Sequence, residues 1–198
     1  MLSFPTMARP IPLHAYTYAE YLAIEEHGLV RHEYIGGEIY AMAGGSPEQA
    51  ALAAQVLRLI GNQLPAGCRT YSSDLRVRVD ARDVTTYPDG TIICGKVETS
   101  ARDPMAVTNP VLLVEVTSPS TEAYDRGAKL DHYKDLPSVQ EVLIVAHAAA
   151  RLTLHRREAD GSWSVIEARM PPAAGLPTAP ELASIGGRLE VADVYDGS

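Results

Sequence analysis

Residues 111–116, VLLVEV, are apolar on both parities except at one position, Glu115. A strand with one wet face alternates apolar and polar residues, so a run without alternation predicts a strand covered on both faces, at the centre of a sheet. That need for cover constrains the rest of the chain, because a second layer must lie on each side. It also isolates Glu115, since an ionised carboxylate in such a strand is costly unless a cation or several donors compensate it. The bland alternative is an edge strand whose glutamate reaches solvent.

The flanking sequence supplies candidate layers. Thr17 with Glu20 three residues later is a capping-box signature, and Gly28 is placed to end the helix that follows. Residues 33–40, EYIGGEIY, predict a tight hairpin turning at Gly36 and Gly37. Ser46, Pro47 and Gln49 start a second helix with an apolar stripe of Ala53, Val56, Leu57, Ile60 and Leu64. Leu75, Val77 and Val79 alternate with Arg76, Arg78 and Asp80, the pattern of a half-buried strand with its charges outward. A strand from Thr91 follows Pro88, Asp89 and Gly90, and a helix is expected from about Glu122 to Asp135, stopped by Pro137. Further strands are expected at 141–146, at 151–156 and through Trp163 and Val165, before a proline-rich loop at 171–180 and a short terminal element. This order predicts an α/β fold with a mixed central β-sheet flanked by helices. Residues 1–15 are expected to form a flexible arm and residues 16–198 a single domain.

Composition narrows the function classes. With 198 residues, 46% hydrophobic and 21% charged, one domain can bury its own core without staples. A net charge of -8 opposes a general polyanion binder, although basic residues can still gather on one face. Arg76 and Arg78, or His155, Arg156 and Arg157, are the candidate phosphate contacts, with a solvated strand face as the plain reading of either set. Ten tyrosines against one phenylalanine and one tryptophan suggest amphipathic edges more than a uniformly apolar core. Cys68 and Cys94 form no CxxC pair, no long apolar leader opens the chain, and no window approaches the roughly twenty apolar residues of a membrane span, so a reducing cytoplasm is expected. The six histidines lack zinc-ligand spacing, and neither a phosphate-binding GxxxxGK loop nor a GxSxG elbow is present. Ser118, Ser120 and Thr121 are read as a turn and helix cap.

Asp89 alone belongs to a good β-turn, Tyr87-Pro88-Asp89-Gly90. Its place before one strand, with Glu115 near the end of another, allows two carboxylates to converge into an oxygen-rich site for Mg²⁺ or Mn²⁺. Asp125, Lys129 and Tyr133 are spaced i, i+4, i+8 and line one helical face beyond the Glu115 strand. Alone, that spacing implies only a surface ion pair.

The segments RHEYIGGEIYAMAGGSPEQA, YPDG, PVLLVEVTSPST, DRGAKLDHY and LPSVQEVLIV, in this order and spacing from about Tyr16 onward, resemble the large bacterial family of "putative restriction endonucleases" in the PD-(D/E)XK nuclease superfamily. The resemblance implies a metal-dependent endonuclease acting on nucleic acid, DNA in the first instance; a homodimer is a candidate assembly, and no membrane partner is expected. It assigns Asp89 and Glu115 as metal ligands and catalytic residues. The superfamily lysine ordinarily stands two residues after the acid, where this chain has Thr117, and the resemblance places it instead at Lys129. Glu33 and Glu38 match acidic positions of the family's early hairpin, and Asp125 and Tyr133 are auxiliary candidates that would fix the lysine. Gly90 and Gln49 depart from the family pattern, which has an apolar residue and often histidine there. The competing reading is a catalytically silent binding or assembly module on the same fold.

Overall fold

The computed structural model describes residues 15–196 apart from Ala43, Ser120, Ala173, Ala174 and Leu176. Residues 1–14 of the expected arm, and the reading of Ser120 as part of a cap, lie outside the described residues.

Local signals account for the first elements. Helix α1 (Tyr18–His27) begins at a complete capping box between Thr17 and Glu20 and ends at Gly28. Strands β1 (His32–Ile35) and β2 (Glu38–Ala41) pair antiparallel through Gly36 and Gly37, at φ 54° and 97°. Two consecutive positive φ values are what a tight hairpin turn demands, and glycine adopts them without strain. Helix α2 (Pro47–Gly61) starts on a second capping box, Ser46 with Gln49, and buries Leu52, Val56 and Ile60.

Next come β3 (Cys68–Ser72), β4 (Arg76–Val79), β5 (Val84–Thr86), β6 (Gly90–Cys94), β7 (Thr99–Ser100), β8 (Asp103–Val107) and β9 (Leu112–Val116). The helical segments α3 (Glu122–Asp125) and α4 (Ala128–Lys134) precede β10 (Glu141–Val145), β11 (Arg151–Arg157) and β12 (Trp163–Arg169). A small ribbon of β13 (Glu181–Leu182) and β14 (Gly187–Arg188) leads to α5 (Val191–Tyr195).

The larger strands form two mixed six-stranded sheets, β2-β1-β5-β4-β8-β7 and β12-β11-β10-β9-β6-β3. Strand β9 is interior, parallel to β10 and antiparallel to β6, and all five of its residues are buried. Its residues alternate between two cores. Leu112, Val114 and Val116 join α2 and α5 in one, while Leu113 joins Val77, Val79 and Val84 of the other sheet with Leu130 and Tyr133 of α4. The apolar run is thus explained by cover on both sides, and Glu115 shares the parity of Leu113.

Several expectations are corrected. The helix expected between Glu122 and Asp135 is broken at Arg126 and Gly127, and a Cβ on Gly127 would lie 2.8 Å from the Ala123 carbonyl oxygen. Arg78 does not face outward but is fully buried, bonded to Asp80, Asp83 and Thr85, with its guanidinium 4.0 Å from the Tyr18 ring centroid. Arg76 pairs with buried Asp103 at 3.2 Å. Arg156 pairs with Glu141, and Arg157 donates to the carbonyls of Lys134, at the end of α4, and of Leu136 and Val139 beyond it. His155 is held neutral because burial, helped by Lys134 and Arg126, pulls its pKa down to about 4. Neither basic set is therefore free for phosphate. Tyr18, Tyr21, Tyr34, Tyr87 and Tyr133 are core residues rather than edge residues, each hydroxyl having an internal acceptor. Cys68 and Cys94 face each other across β3 and β6 and form a disulfide, which removes the support that unpaired cysteines lent to a reducing compartment. Among the described residues no helix is long and apolar enough to cross a membrane.

Candidate active site

A cleft of about 480 Å³ lies beside α2, lined among others by Gln49, Tyr87, Asp89, Glu115, Asp125 and Lys129. Asp89 enters it from the turn before β6. Its Oδ2 accepts from the Val116 backbone N–H at 2.7 Å, so the turn is tied to β9 one residue beyond Glu115. Gly90 permits this arrangement, since a Cβ there would lie 2.6 Å from Leu57 of α2 and 3.2 Å from Val114 of β9.

Glu115 is 3% exposed, and its Oε1 accepts from the Tyr133 hydroxyl at 2.5 Å and from Lys129 Nζ at 3.0 Å. Tyr133 also bonds Thr86 at 3.1 Å, which fixes its hydroxyl between the sheets. Lys129 Nζ lies 3.1 Å from Glu33 on β1 and 3.9 Å from Asp125 on α3. The i, i+4, i+8 alignment of Asp125, Lys129 and Tyr133 survives the helix break, and all three are buried. They form no surface ion pair.

The charges are unbalanced. Burial, with further repulsion from Asp89 and Asp125, pushes the Glu115 carboxyl up to about 8 against the opposing pull of Lys129. Burial likewise raises Asp89 and Asp125, the Val116 amide and Lys129 opposing the shift at Asp89. For Lys129 burial disfavours the charge, but Glu115, Glu33 and Asp125 together outweigh it and hold the pKa above its ordinary value. One ammonium serves four acids.

Such a donor set suits a hard cation. Among the described residues no cluster of three or more His, Cys, Asp or Glu is arranged to hold an ion. A magnesium-type ion does not need one, because it binds through one or two carboxylates and completes its shell with water and phosphate oxygens. Asp89 and Glu115 both line the cleft and are the two carboxylates that could supply it.

Of the auxiliary candidates, Glu33 is brought to Lys129, whereas Glu38 is exposed, bonds the Tyr40 hydroxyl and does not line the cleft. Gln49, where the family often has histidine, closes its helix cap and points its amide at the Val116 and Thr117 carbonyls, 3.4 Å from each. Tyr124, beside Lys129 at 5.9 Å from ring centroid to ammonium, was not anticipated; its only sequence signal was a position one residue before Asp125.

The family model described as "Putative restriction endonuclease", Uma2, matches residues 18–189. Two uncharacterized proteins of Synechocystis sp. are similar: slr1290, 35% identical over 90% of both chains, and sll1609, 33% identical over 76% of this chain and 86% of the relative. The fold is similar to that of a "putative nuclease belonging to DUF820" from Anabaena variabilis, with TM-score 0.65 and 16% identity over 83% of this chain and 89% of that one. The family match spans nearly the whole described chain and includes every residue of the cleft, so this protein belongs to the Uma2 family.

Proposed function

We propose that the protein is a metal-dependent phosphodiesterase acting on nucleic acid, with DNA as substrate. The observation that carries the reading is the convergence of Asp89, Glu115 and Lys129 on one cleft, with more buried carboxylates than the lysine can neutralise. Asp89 and Glu115 would hold Mg²⁺ or Mn²⁺, and such an ion, when bound, activates water and offsets charge on the scissile phosphate. Tyr133 donates to Glu115 Oε1 and fixes the carboxylate's orientation. Glu33 and Asp125 keep the Lys129 ammonium charged and aimed at the cleft, where it donates to a phosphate oxygen as negative charge develops. Thr117 leaves the superfamily's usual lysine position empty of charge, and the α4 stem delivers an ammonium to Glu115 from the neighbouring helix. Purified protein with Mg²⁺ or Mn²⁺ and labelled DNA, beside a Glu115→Gln control, tests this. Metal-dependent cleavage lost in the control is expected, and no cleavage with either ion overturns the reading.

One observation favours the silent-module alternative: Arg78, Arg156 and Arg157 are spent on internal partners in a chain of net charge -8, which leaves little for sequence-independent phosphate attraction. Nucleic-acid binding without cleavage, unchanged in Glu115→Gln, is its signature.

A further inference from the structure

A second cavity, of about 410 Å³, adjoins the cleft and shares Met42, Thr121, Asp125 and Lys129 with it. Its origin is the two-sided hairpin. Tyr34 and Ile39, opposite each other in register, pack into the tyrosine cluster with Tyr18 and Tyr21. The next pair, Glu33 opposite Tyr40, has the other parity and lines the cavity with Ile35, while Tyr124 of α3 contributes a second aromatic ring. The Tyr124 hydroxyl is buried beside Glu33 without a well-formed hydrogen bond. Tyr40 is 47% exposed.

These walls suit a ring with polar edges and not an anion. Two carboxylates, Glu33 and Asp125, face one ammonium there, so a phosphate would meet net negative charge. Two tyrosine rings and Met42 offer stacking and dispersion surface, and the Glu33 carboxylate offers an acceptor for an exocyclic amine. The volume lies in the range of small-molecule sites, about 300–1,000 Å³, and admits one unstacked nucleotide, not a paired duplex. With Arg76, Arg78, Arg156 and Arg157 held by internal partners, stacking on the bases is the contribution these walls can add to the affinity for a strand.

We propose that this cavity is a base subsite, holding one unstacked nucleobase of the strand whose phosphate lies at Lys129, so that the preferred substrate is single-stranded or locally unpaired nucleic acid. The inference rests on the nuclease reading of the adjoining cleft. Binding of a short labelled DNA single strand, of its duplex and of an abasic strand of equal length is measured by fluorescence anisotropy in Ca²⁺, for wild type, Tyr40→Ala and Tyr40→Phe. The base-bearing strand is expected to bind at least about tenfold more tightly than the abasic strand or the duplex, Tyr40→Ala to lose about tenfold, and Tyr40→Phe, which keeps the ring, to stay near wild type. Equal binding of base-bearing and abasic strands, wild-type affinity in Tyr40→Ala, or binding to none of the three probes overturns the subsite. Cleavage assays on the same strands separate the two readings. Base-dependent binding without cleavage overturns the nuclease and leaves the subsite, whereas cleavage indifferent to Tyr40 and to the bases overturns the subsite and leaves the nuclease.

Discussion

Among the described residues two cations, Arg78 and Lys129, are buried among acids, and the two clusters are built on opposite principles. Around Arg78 the charges balance: Arg78 and Arg102 meet Asp80 and Asp83, both aspartates are partly exposed at 48% and 41%, and the Tyr18 ring covers the guanidinium. Asp83 accordingly has its pKa lowered: its burial is outweighed by Arg78, Tyr34 and Arg102. Around Lys129 one ammonium meets Glu33, Glu115 and Asp125, with Asp89 acting on Glu115, and Glu115, Asp89 and Asp125 are all raised. A satisfied cluster holds the first sheet to the α1 layer. An unsatisfied one beside a cleft stores demand for positive charge, which marks a functional site better than burial alone.

The largest expected effect tests the balanced side. Arg78→Ala removes a fully buried side chain that bonds Asp80, Asp83 and Thr85 and packs on the Tyr18 ring, and the cavity it leaves should cost about 3–5 kcal/mol, read by denaturant or thermal unfolding. Cleavage per folded molecule should be unchanged. A stability loss well under this range would mean that the cluster is not structural.

Glu115→Gln and Lys129→Ala should each lower the cleavage rate by about 10²–10³-fold. The two variants differ in the cause. Glu115→Gln removes a proposed metal ligand and an acid that costs stability, so its metal-free fold should be no weaker than wild type. Lys129→Ala leaves the acids uncompensated, so the fold should weaken and Mg²⁺ should restore more of it than in wild type. Wild-type rates in Lys129→Ala would remove Lys129 from the mechanism.

Metal and pH sharpen the contrast further. Mg²⁺ at a hundred times its dissociation constant should stabilise the wild type by about 2.7 kcal/mol, and a chelator should reverse the gain. In the metal-free protein folded Glu115 keeps its proton up to about 8, whereas the unfolded acid releases it near 4.5. The folded state therefore binds more protons between those values, and stability should fall as pH rises from about 4.5 to about 8. Asp89 and Asp125, also raised, act in the same direction, while Lys129 is charged in both states across this window. Glu115→Gln should flatten the slope. Asp83, with its pKa lowered, contributes stability that is present above its ordinary value of 3.8 and lost as pH falls below it, so the balanced cluster fails only in acid. Unfolding series across this range, with and without Mg²⁺, check both signs.

The smallest effect belongs to the rim of the balanced cluster. Asp80→Asn should cost no more than about 1 kcal/mol, because Asp80 is half exposed and Asp83 still serves Arg78. A loss as large as that of Arg78→Ala would make the two clusters alike.

How much of this could be read from the chain follows from the range of the forces involved. Capping boxes at Thr17 and Ser46, the Gly36-Gly37 hairpin and the two-faced run around Glu115 depend on neighbours a few residues away, and each formed where its local chemistry required. The family match supports the fold that this order implied. Arg78 was misread for the complementary reason: alternation tells which face of a strand a residue takes, not whether another layer covers that face. The Cys68–Cys94 pair and the internal partners of Arg156 and Arg157 likewise depend on strands and loops that meet only after folding.

The site divides along the same line. That Glu115 would be a buried acid needing compensation was written in six consecutive residues, since desolvation follows from the apolar run that surrounds it. That the compensation would come from Lys129, with Glu33 gripping the same ammonium from a hairpin 96 residues earlier in the chain, was decided by the packing of two sheets against α4, because charge pairing depends on distance in space.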